Sequence, residues 1–280
     1  MKTLSLGYSP CPNDTFIFYA MINGKIDTGN LKFNELLLDV ETLNQKALNS
    51  SLDISKVSYH AYGHLRDKYR LLRAGGALGR KCGPLLITKN DYSMSQLRGR
   101  KIAVPGQLTT AYLLLQLYCA SFDFQPSSPL FMPFNEIIDA VASGKADAGL
   151  IIHESRFTYQ SFGLKQIIDL GEWWEGETSL PIPLGGIIAK RSLGDGLINT
   201  INTVVKNSVE YAFSNRVEPM NYIKEHSQEL SDDVIKQHID LYVNDFSIDI
   251  GKEGEKAVVE LFSRSEKAGL IPNTNLKSFM

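Results

Sequence analysis

The sequence predicts a two-lobed α/β fold with a ligand cleft between the lobes and a helical C-terminal segment. Two stretches repeat one order of helix, polar break, aspartate and short apolar run: residues 40–60, which end at His60, and residues 134–153, which end at His153. A strand, a loop and a helix start precede each of them, at residues 3–21 and 101–118. Strands that alternate with helices are typical of parallel sheets, so we interpret the chain as two related α/β units.

Two breaks in this pattern indicate crossovers between the units. One is the polar stretch within residues 85–100, and the other is the LPIPLGGIIAKRSL segment at residues 180–193, with two prolines and two glycines. From about Asp195 onward, apolar residues recur at helical spacing. We therefore predict one lobe of residues 1–90 plus 190–280, which includes the C-terminal helices, and a second lobe of residues 91–189. Such a pair of lobes resembles the architecture of type II periplasmic binding proteins.

Composition excludes several classes of partner. The chain has 280 residues, 43% of them hydrophobic and 21% charged, with a net charge of -2 and no basic cluster that would indicate nucleic acid or a membrane surface. The first residues lack the apolar core of a secretory signal, so we expect a cytoplasmic protein. Three cysteines without ligand spacing predict neither a disulfide framework nor a metal site. We expect a small molecule or a protein as the partner.

Loops that follow the predicted strands carry the candidate ligand contacts, because parallel sheets gather such loops at one edge. In PGQLTTAYLL, free N–H groups where a helix begins would favour a substrate carboxylate. Taken singly, each loop is explained equally well by ordinary helix capping. The candidates are Ser9, Asn13, Asp14, Lys56, Ser58, Thr109 and Thr110.

The stretch GLIIHESRFTY delivers a titratable group at the tip of an apolar strand. His153 is followed by Glu154 and Arg156, either of which could orient the imidazole or neutralise a substrate carboxylate, and Arg156 is a further cleft candidate. A hydrogen-bonded structural histidine remains open from these residues alone. The roles of His60 and of the Trp173–Trp174 pair are also left open between the site and packing.

Seven segments together resemble one enzyme family. In order between residues 5 and 187 they are SPCPNDTF, DVETLN, KVSYHAYG, GALGRKCGPL, IAVPGQLTTA, GLIIHESRFTY and LPIPLGG. They are similar to the 1,4-dihydroxy-6-naphthoate synthases of the futalosine route to menaquinone. The helical C-terminal segment matches in kind only.

This resemblance implies a periplasmic-binding-protein-like fold that performs catalysis. The expected reaction converts cyclic dehypoxanthinyl futalosine to 1,4-dihydroxy-6-naphthoate and a three-carbon sugar fragment, dihydroxyacetone, without a metal or redox cofactor. The family pattern implies that His153 is the general base. It also implies that the substrate is bound by Lys56, Val57, Ser58, Thr109 and Thr110.

Two alternatives stay open at this point. Chorismate dehydratase, of the same pathway and fold, also binds a carboxylate-bearing ring, but HESRFTY and GRKCGPL favour the synthase. A non-catalytic protein that binds small carboxylates is the other alternative, and the absence of an export signal counts against it.

Overall fold

Two mixed β-sheets organise the chain in the computed structural model, which describes residues 1–122, 129–227, 231–274 and 279. Within the first sheet, β1 pairs in parallel with β2 along its whole length, from Lys2 beside Leu31 to Tyr8 beside Leu37, and it also pairs in parallel with β3. The first elements are β1 (Lys2–Tyr8), α1 (Pro12–Ile22), β2 (Leu31–Leu37), α2 (Val40–Leu48), β3 (Ile54–Ser58), α3 (Tyr59–Gly63), β4 (Tyr69–Leu71) and β5 (Ala77–Gly79).

The second sheet repeats the parallel arrangement in the next part of the chain. Its strand order is β10-β6-β9-β7-β8, and β7 pairs in parallel with both β8 and β9. The elements are β6 (Leu85–Thr88), β7 (Ile102–Val104), α4 (Thr110–Ser121), β8 (Leu130–Phe131), α5 (Ile137–Ala142), β9 (Ala148–Ile151), α6 (Ser155–Thr158), β10 (Lys165–Asp169) and α7 (Leu170–Thr178).

The remaining strand returns to the first sheet. Strand β11 (Ile182–Lys190) pairs antiparallel with β3, β4 and β5, while β6 pairs antiparallel with β9 and β10 in the second sheet. The expectation of purely parallel sheets is therefore wrong for β6 and β11. Both strands lie next to a crossover, and the chain enters each sheet there in the opposite direction.

The division into a lobe of residues 1–90 plus 190–280 and a lobe of residues 91–189 stays a prediction. Sheet membership would move both borders, because β6 lies in the second sheet and β11 in the first. A buried apolar cluster that includes Val57, Leu86 and Val104 also extends from one sheet to the other.

In the described residues after β11 there are five α-helices, and the first of them packs on α1. Helix α8 buries one apolar face that includes Ile201, Val204 and Val205. On the same face, the Ser208 hydroxyl donates to the Ile17 carbonyl and accepts from the Met21 N–H, which fixes α8 against α1. The five helices are α8 (Asp195–Ser214), α9 (Met220–His226), α10 (Asp232–Tyr242), α11 (Asp245–Ile248) and α12 (Gly251–Lys267). Across the described ranges, no helix is both long and apolar enough to span a bilayer.

A backbone contact between two glycines joins the β5–β6 connection to α7. A Cβ atom on Gly83 would lie 2.2 Å from the backbone nitrogen of Gly171 and 2.4 Å from its Cα. Both partners of this contact are backbone atoms. A side chain at either position would therefore have to displace the main chain, which moves less easily than the end of a flexible side chain. The contact fixes the segment on either side of Gly83, which includes the cavity-lining residues Cys82 and Pro84.

We predict that Gly83→Ala lowers the free energy of unfolding by about 1–3 kcal/mol, since the added methyl group overpacks this contact. The matched control is Gly176→Ala in the same α7, where a Cβ atom meets nothing within 4 Å among the described residues. That control should raise stability by about 0.5–1 kcal/mol, because alanine replaces glycine inside a helix. Urea unfolding of both variants measures the difference, and a Gly83→Ala protein as stable as the wild type would contradict the contact.

Candidate active site

One cavity of about 90 Å³ lies between the two sheets. Apart from Arg156, every residue that the sequence predicts for the site lines it: Ser9, Asn13, Asp14, Lys56, Val57, Ser58, Thr109, Thr110 and His153. The loops after β1, β3, β7 and β9 therefore meet at one place, as parallel strand ends do. Most of the remaining lining is apolar and comes from strands or loops of both sheets and from α2, α4 and α10: Val40, Leu43, Ala77, Cys82, Pro84, Ala111, Ile152, Leu184, Gly185 and Tyr242.

A buried ion pair forms the polar floor of the cavity. The ammonium of Lys56 lies 3.0 Å from Asp14 Oδ1, and both side chains are at least nine-tenths buried. Lys56 also donates to the Gly75 carbonyl at 2.9 Å, which leaves one of its three N–H groups for the cavity. The other Asp14 oxygen accepts from the Ser9 hydroxyl and backbone N–H, at 2.7 and 3.2 Å.

The Asn13 side chain extends this network from Asp14 to α10. Its amide nitrogen donates to Asp14 Oδ1 at 2.9 Å, and its amide oxygen lies 2.9 Å from Nε2 of His238. His238 has no exposed surface, and burial lowers its pKa well below the usual range. Its ring therefore stays neutral and joins α10 to the first loop.

Ser58, at the end of β3, presents its hydroxyl hydrogen to the cavity. Asn44 on α2 accepts from the Ser58 backbone N–H at 3.0 Å and donates to the Ser58 hydroxyl oxygen at 3.2 Å. The hydroxyl oxygen is thus occupied as an acceptor, while its hydrogen remains free to donate to a ligand.

The N-terminus of α4 brings backbone donors to the opposite side. The Thr109 hydroxyl caps the helix, accepting from the Tyr112 N–H and donating to the Gly106 carbonyl. The Thr110 hydroxyl donates to the Leu184 carbonyl on β11. Both hydroxyl hydrogens are therefore engaged, whereas helix geometry leaves the N–H groups of Thr110 and Ala111 without a carbonyl acceptor inside the helix.

A second contact also joins the α4 entry loop to the first sheet. The Glu41 carboxylate on α2 accepts from the Leu108 N–H at 3.1 Å, and a Cβ atom on Gly106 would lie 2.5 Å from that carboxylate. Together with the Thr110–Leu184 bond, it holds the two walls of the cavity against each other.

His153 lies just beyond the end of β9 in a left-handed backbone conformation, with φ of +57°. Such a conformation costs a non-glycine residue about 1–2 kcal/mol. It turns the chain from the strand into α6 and directs the imidazole into the cavity. Residues held in this way cluster at functional sites.

Two rings hold the imidazole of His153 in place. The edge of Phe134 lies on one side, with ring centroids 5.0 Å apart, and His238 stacks on it at 6.0 Å with an interplanar angle of 11°. Burial lowers the pKa of His153 below its ordinary value, an effect that the carboxylates of Glu154 and Asp14 oppose. Among the described residues, neither ring nitrogen has a hydrogen-bond partner.

Several candidates that the sequence left open lie outside the cavity lining. Arg156 donates to the Gly83 carbonyl and to Asp169, both at 2.6 Å, so its charge is already paired. His60 lies behind Thr110, and burial lowers its pKa to about 4. The buried Trp174 donates to the Pro181 carbonyl, and Trp173 packs edge-on against Tyr118.

Sequence reasoning missed the contribution of α10. Its residues Ile235, His238, Ile239 and Tyr242 are all buried. A histidine on the apolar face of an amphipathic helix was the available signal, since a buried imidazole needs a polar partner.

In the described part of the chain, no three His, Cys, Asp or Glu side chains are grouped so that they could hold a metal ion. Cys82 lines the cavity as a free thiol, and burial raises its pKa to about 12.

Sequence matches to a protein family and to two named enzymes cover nearly the whole chain. Residues 4–267 match the model of a family described as Menaquinone biosynthesis. The chain is 50% identical over 270 residues to the 1,4-dihydroxy-6-naphtoate synthase of Thermus thermophilus, a match that covers 96% of both chains. It is 45% identical over 273 residues to the Streptomyces coelicolor protein of the same name, covering 96% of this chain and 95% of that one.

Solved structures confirm the predicted fold class. A protein from Archaeoglobus fulgidus superimposes with a TM-score of 0.89 at 37% identity, covering 96% of this chain and 98% of that one. The alkanesulfonate-binding protein of Xanthomonas axonopodis pv. citri superimposes with a TM-score of 0.73 at 13% identity, covering 97% and 94%. This second likeness shows the fold alone, which is that of the periplasmic binding proteins.

We predict that Asp14→Asn lowers the free energy of unfolding by about 3–5 kcal/mol, because it leaves the buried ammonium of Lys56 without its counter-charge. Asp91→Asn is the matched control, since Asp91 forms an exposed ion pair with Lys165. That control should change stability by less than about 1 kcal/mol. Urea unfolding monitored by circular dichroism compares the two. If Asp14→Asn lowered the free energy of unfolding no more than Asp91→Asn does, the Asp14–Lys56 pair would not stabilise the fold.

Proposed function

The chain belongs to the menaquinone biosynthesis family and within it to the 1,4-dihydroxy-6-naphthoate synthases, and from that membership we propose the substrate and the base. The substrate is cyclic dehypoxanthinyl futalosine, which the enzyme cleaves to 1,4-dihydroxy-6-naphthoate and dihydroxyacetone. The base is His153. The observation that carries this proposal is the imidazole of His153 in the cavity, without a hydrogen-bond partner among the described residues.

A neutral imidazole with free ring nitrogens can accept a proton. Burial keeps the pKa of His153 below its ordinary value, so the ring is unprotonated near neutral pH. The stacked His238 and the edge of Phe134 restrict its rotation, which supports a fixed direction of proton transfer. Positioning of this kind removes the entropic cost of bringing the base to the substrate.

The substrate carboxylate is proposed to bind at the N-terminus of α4. The N–H groups of Thr110 and Ala111 are the donors there, and the positive end of the helix dipole favours an anion. The third N–H group of Lys56 and the Ser58 hydroxyl supply further donors within the same cavity. Thr109 and Thr110 thus act through backbone, since their hydroxyl groups are engaged elsewhere.

Exclusion of water supports the chemical step. The Glu41–Leu108 and Thr110–Leu184 bonds hold the cavity walls against each other, and most lining residues are apolar. When His153 removes a proton from the ring system, the electron pair of the broken C–H bond forms the new double bond of the ring that becomes aromatic. The electron pair of the cleaved carbon–carbon bond leaves with the sugar-derived fragment. The imidazolium then returns the proton to the departing fragment.

We expect His153→Asn to lower turnover of cyclic dehypoxanthinyl futalosine by about a hundredfold to ten-thousandfold, because an amide cannot take the proton. Substrate affinity should change far less, since the carboxylate donors are untouched. For the wild type, the ascending limb of kcat/KM should have its midpoint below the ordinary imidazole pKa of about 6.5, since protonation on lowering the pH removes the base. The residual activity of the variant should lack this limb. Mass spectrometry of 1,4-dihydroxy-6-naphthoate measures turnover.

The control is His226→Asn on α9, which lies outside the cavity lining and should turn over substrate at the wild-type rate. Chorismate, offered to the wild type in parallel, should be left unchanged. If a well-folded His153→Asn protein cleaved its substrate at close to the wild-type rate, the base would have to be another group.

A further inference from the structure

Near His153, two buried acceptor atoms lie opposite each other with no hydrogen atom between them. Glu154 Oε2 lies 3.9 Å from His238 Nδ1, which is too far for a hydrogen bond. Both atoms are buried, and neither has a hydrogen-bond partner in the part of the chain that the structure describes. Buried polar atoms in native proteins are nearly always paired, so this arrangement requires a physical reason.

The tautomer of His238 follows from the network that begins at Asp14. The Asp14 carboxylate offers no hydrogen, so the amide nitrogen of Asn13 faces it and the amide oxygen faces His238. That oxygen can only accept, which assigns the hydrogen of the neutral imidazole to Nε2. The Nδ1 atom of His238 therefore presents a lone pair toward Glu154.

Among the described residues, the charges around His153 leave the Glu154 carboxylate without a counter-charge. Lys56 and Asp14 neutralise each other, and His238 is neutral. Burial keeps the Cys11 thiol protonated, with a pKa well above its usual range. On the far side, Tyr242 is also neutral because burial raises its pKa, and the nearby Arg156 is paired with Asp169.

We propose that Glu154 and His238 are positioning residues for His153. The Glu154 carboxylate is the counter-charge of the imidazolium that His153 forms when it takes the substrate proton. The His238 ring stacks on the imidazole and holds it in place, and because His238 is neutral it leaves the charge of the carboxylate unbalanced. This inference rests on His153 acting as the general base, as proposed above.

The lack of a hydrogen-bond partner for Glu154 Oε2 within the described ranges is what such a role requires. A carboxylate already neutralised by a cation would gain little when His153 becomes charged. A carboxylate beside a bare lone pair gains the most from a new positive charge nearby, and inside a protein this attraction is stronger than in water. Groups oriented in advance toward a developing charge stabilise it without reorganising during the reaction.

The stack of rings explains the contribution of His238. Its plane lies 11° from that of His153, and the Asn13 bond fixes its rotation. Phe134 also contacts the His153 ring, in an edge-to-face arrangement. These two ring contacts restrict the rotation of the imidazole.

The test is Glu154→Gln, which keeps the shape of the side chain and removes its charge. We expect kcat to fall by about tenfold or more while KM stays within about twofold of the wild type, because the charge acts when the imidazolium forms. The ascending limb of kcat should move to lower pH, since loss of a negative neighbour lowers the pKa of an imidazole. Titration of ¹³C-labelled histidine by NMR, in protein without substrate, should show the same downward shift for His153.

Two further variants make the outcome decisive. Glu136→Gln removes the same charge from an exposed position near Phe134. It should change neither the midpoint of the ascending limb of kcat nor the NMR titration of His153. His238→Gln retains a donor for Asn13 but removes the stacked ring, so kcat should fall without a comparable rise in KM.

A folded Glu154→Gln protein with an unchanged limb and an unchanged His153 titration would overturn the proposal. A change in the titration of His238 alone would also overturn it, because the Glu154 carboxylate would then interact with His238 and not with His153. A merely structural role would lower thermal stability and the amount of active enzyme, without moving either midpoint. Failure of the base assignment is separate, since it is judged by turnover in His153→Asn.

Discussion

The carboxylate of Asp14 is the acceptor on which the polar part of the cavity depends. It receives two donors from Ser9, one from Asn13 and one from the buried ammonium of Lys56. These donors come from the loop after β1, from α1 and from β3, so one side chain sets the relative positions of three elements. Through Asn13 the same carboxylate decides which nitrogen of His238 carries hydrogen. Because buried networks of this kind are unfavourable when any member is unsatisfied, removal of Asp14 would affect the whole floor of the cavity.

Local sequence predicted the elements of the site better than their long-range partners. A few adjacent residues determine each of three features: the cap at Thr109, the loop before α1 and the strand that leads to His153. The acceptor of the Thr110 hydroxyl is the carbonyl of Leu184, and the partner of Asn13 is His238, both remote in sequence. Local sequence preferences do not predict such long-range pairings, because the pairings depend on where the crossovers bring distant parts of the chain together. The same reason explains why the sequence did not predict the antiparallel direction of β11, which depends on how the chain returns to the first sheet and not on the residues of the strand itself.

The fold is shared with proteins that only bind ligands, so the difference must lie in the site. The likeness to the alkanesulfonate-binding protein is a likeness of fold at 13% identity. Binding requires fixed donors such as those at the N-terminus of α4, and these do not change during the process. Proton transfer additionally requires a group whose charge changes and a surrounding that stabilises the change. Three features of this chain fit the second requirement: the αL turn at His153, the stacked rings, and Glu154 Oε2, which has no hydrogen-bond partner in the described part of the chain.

The proposed substrate position lies between the donors of α4 and the imidazole of His153. A crystal structure of the His153→Asn protein with cyclic dehypoxanthinyl futalosine tests it most directly, because the variant should bind without turnover. We expect the substrate carboxylate within about 3.2 Å of the backbone nitrogens of Thr110 and Ala111, with the sugar-derived carbons facing position 153. A carboxylate bound elsewhere, or a sugar-derived part directed away from position 153, would contradict the account.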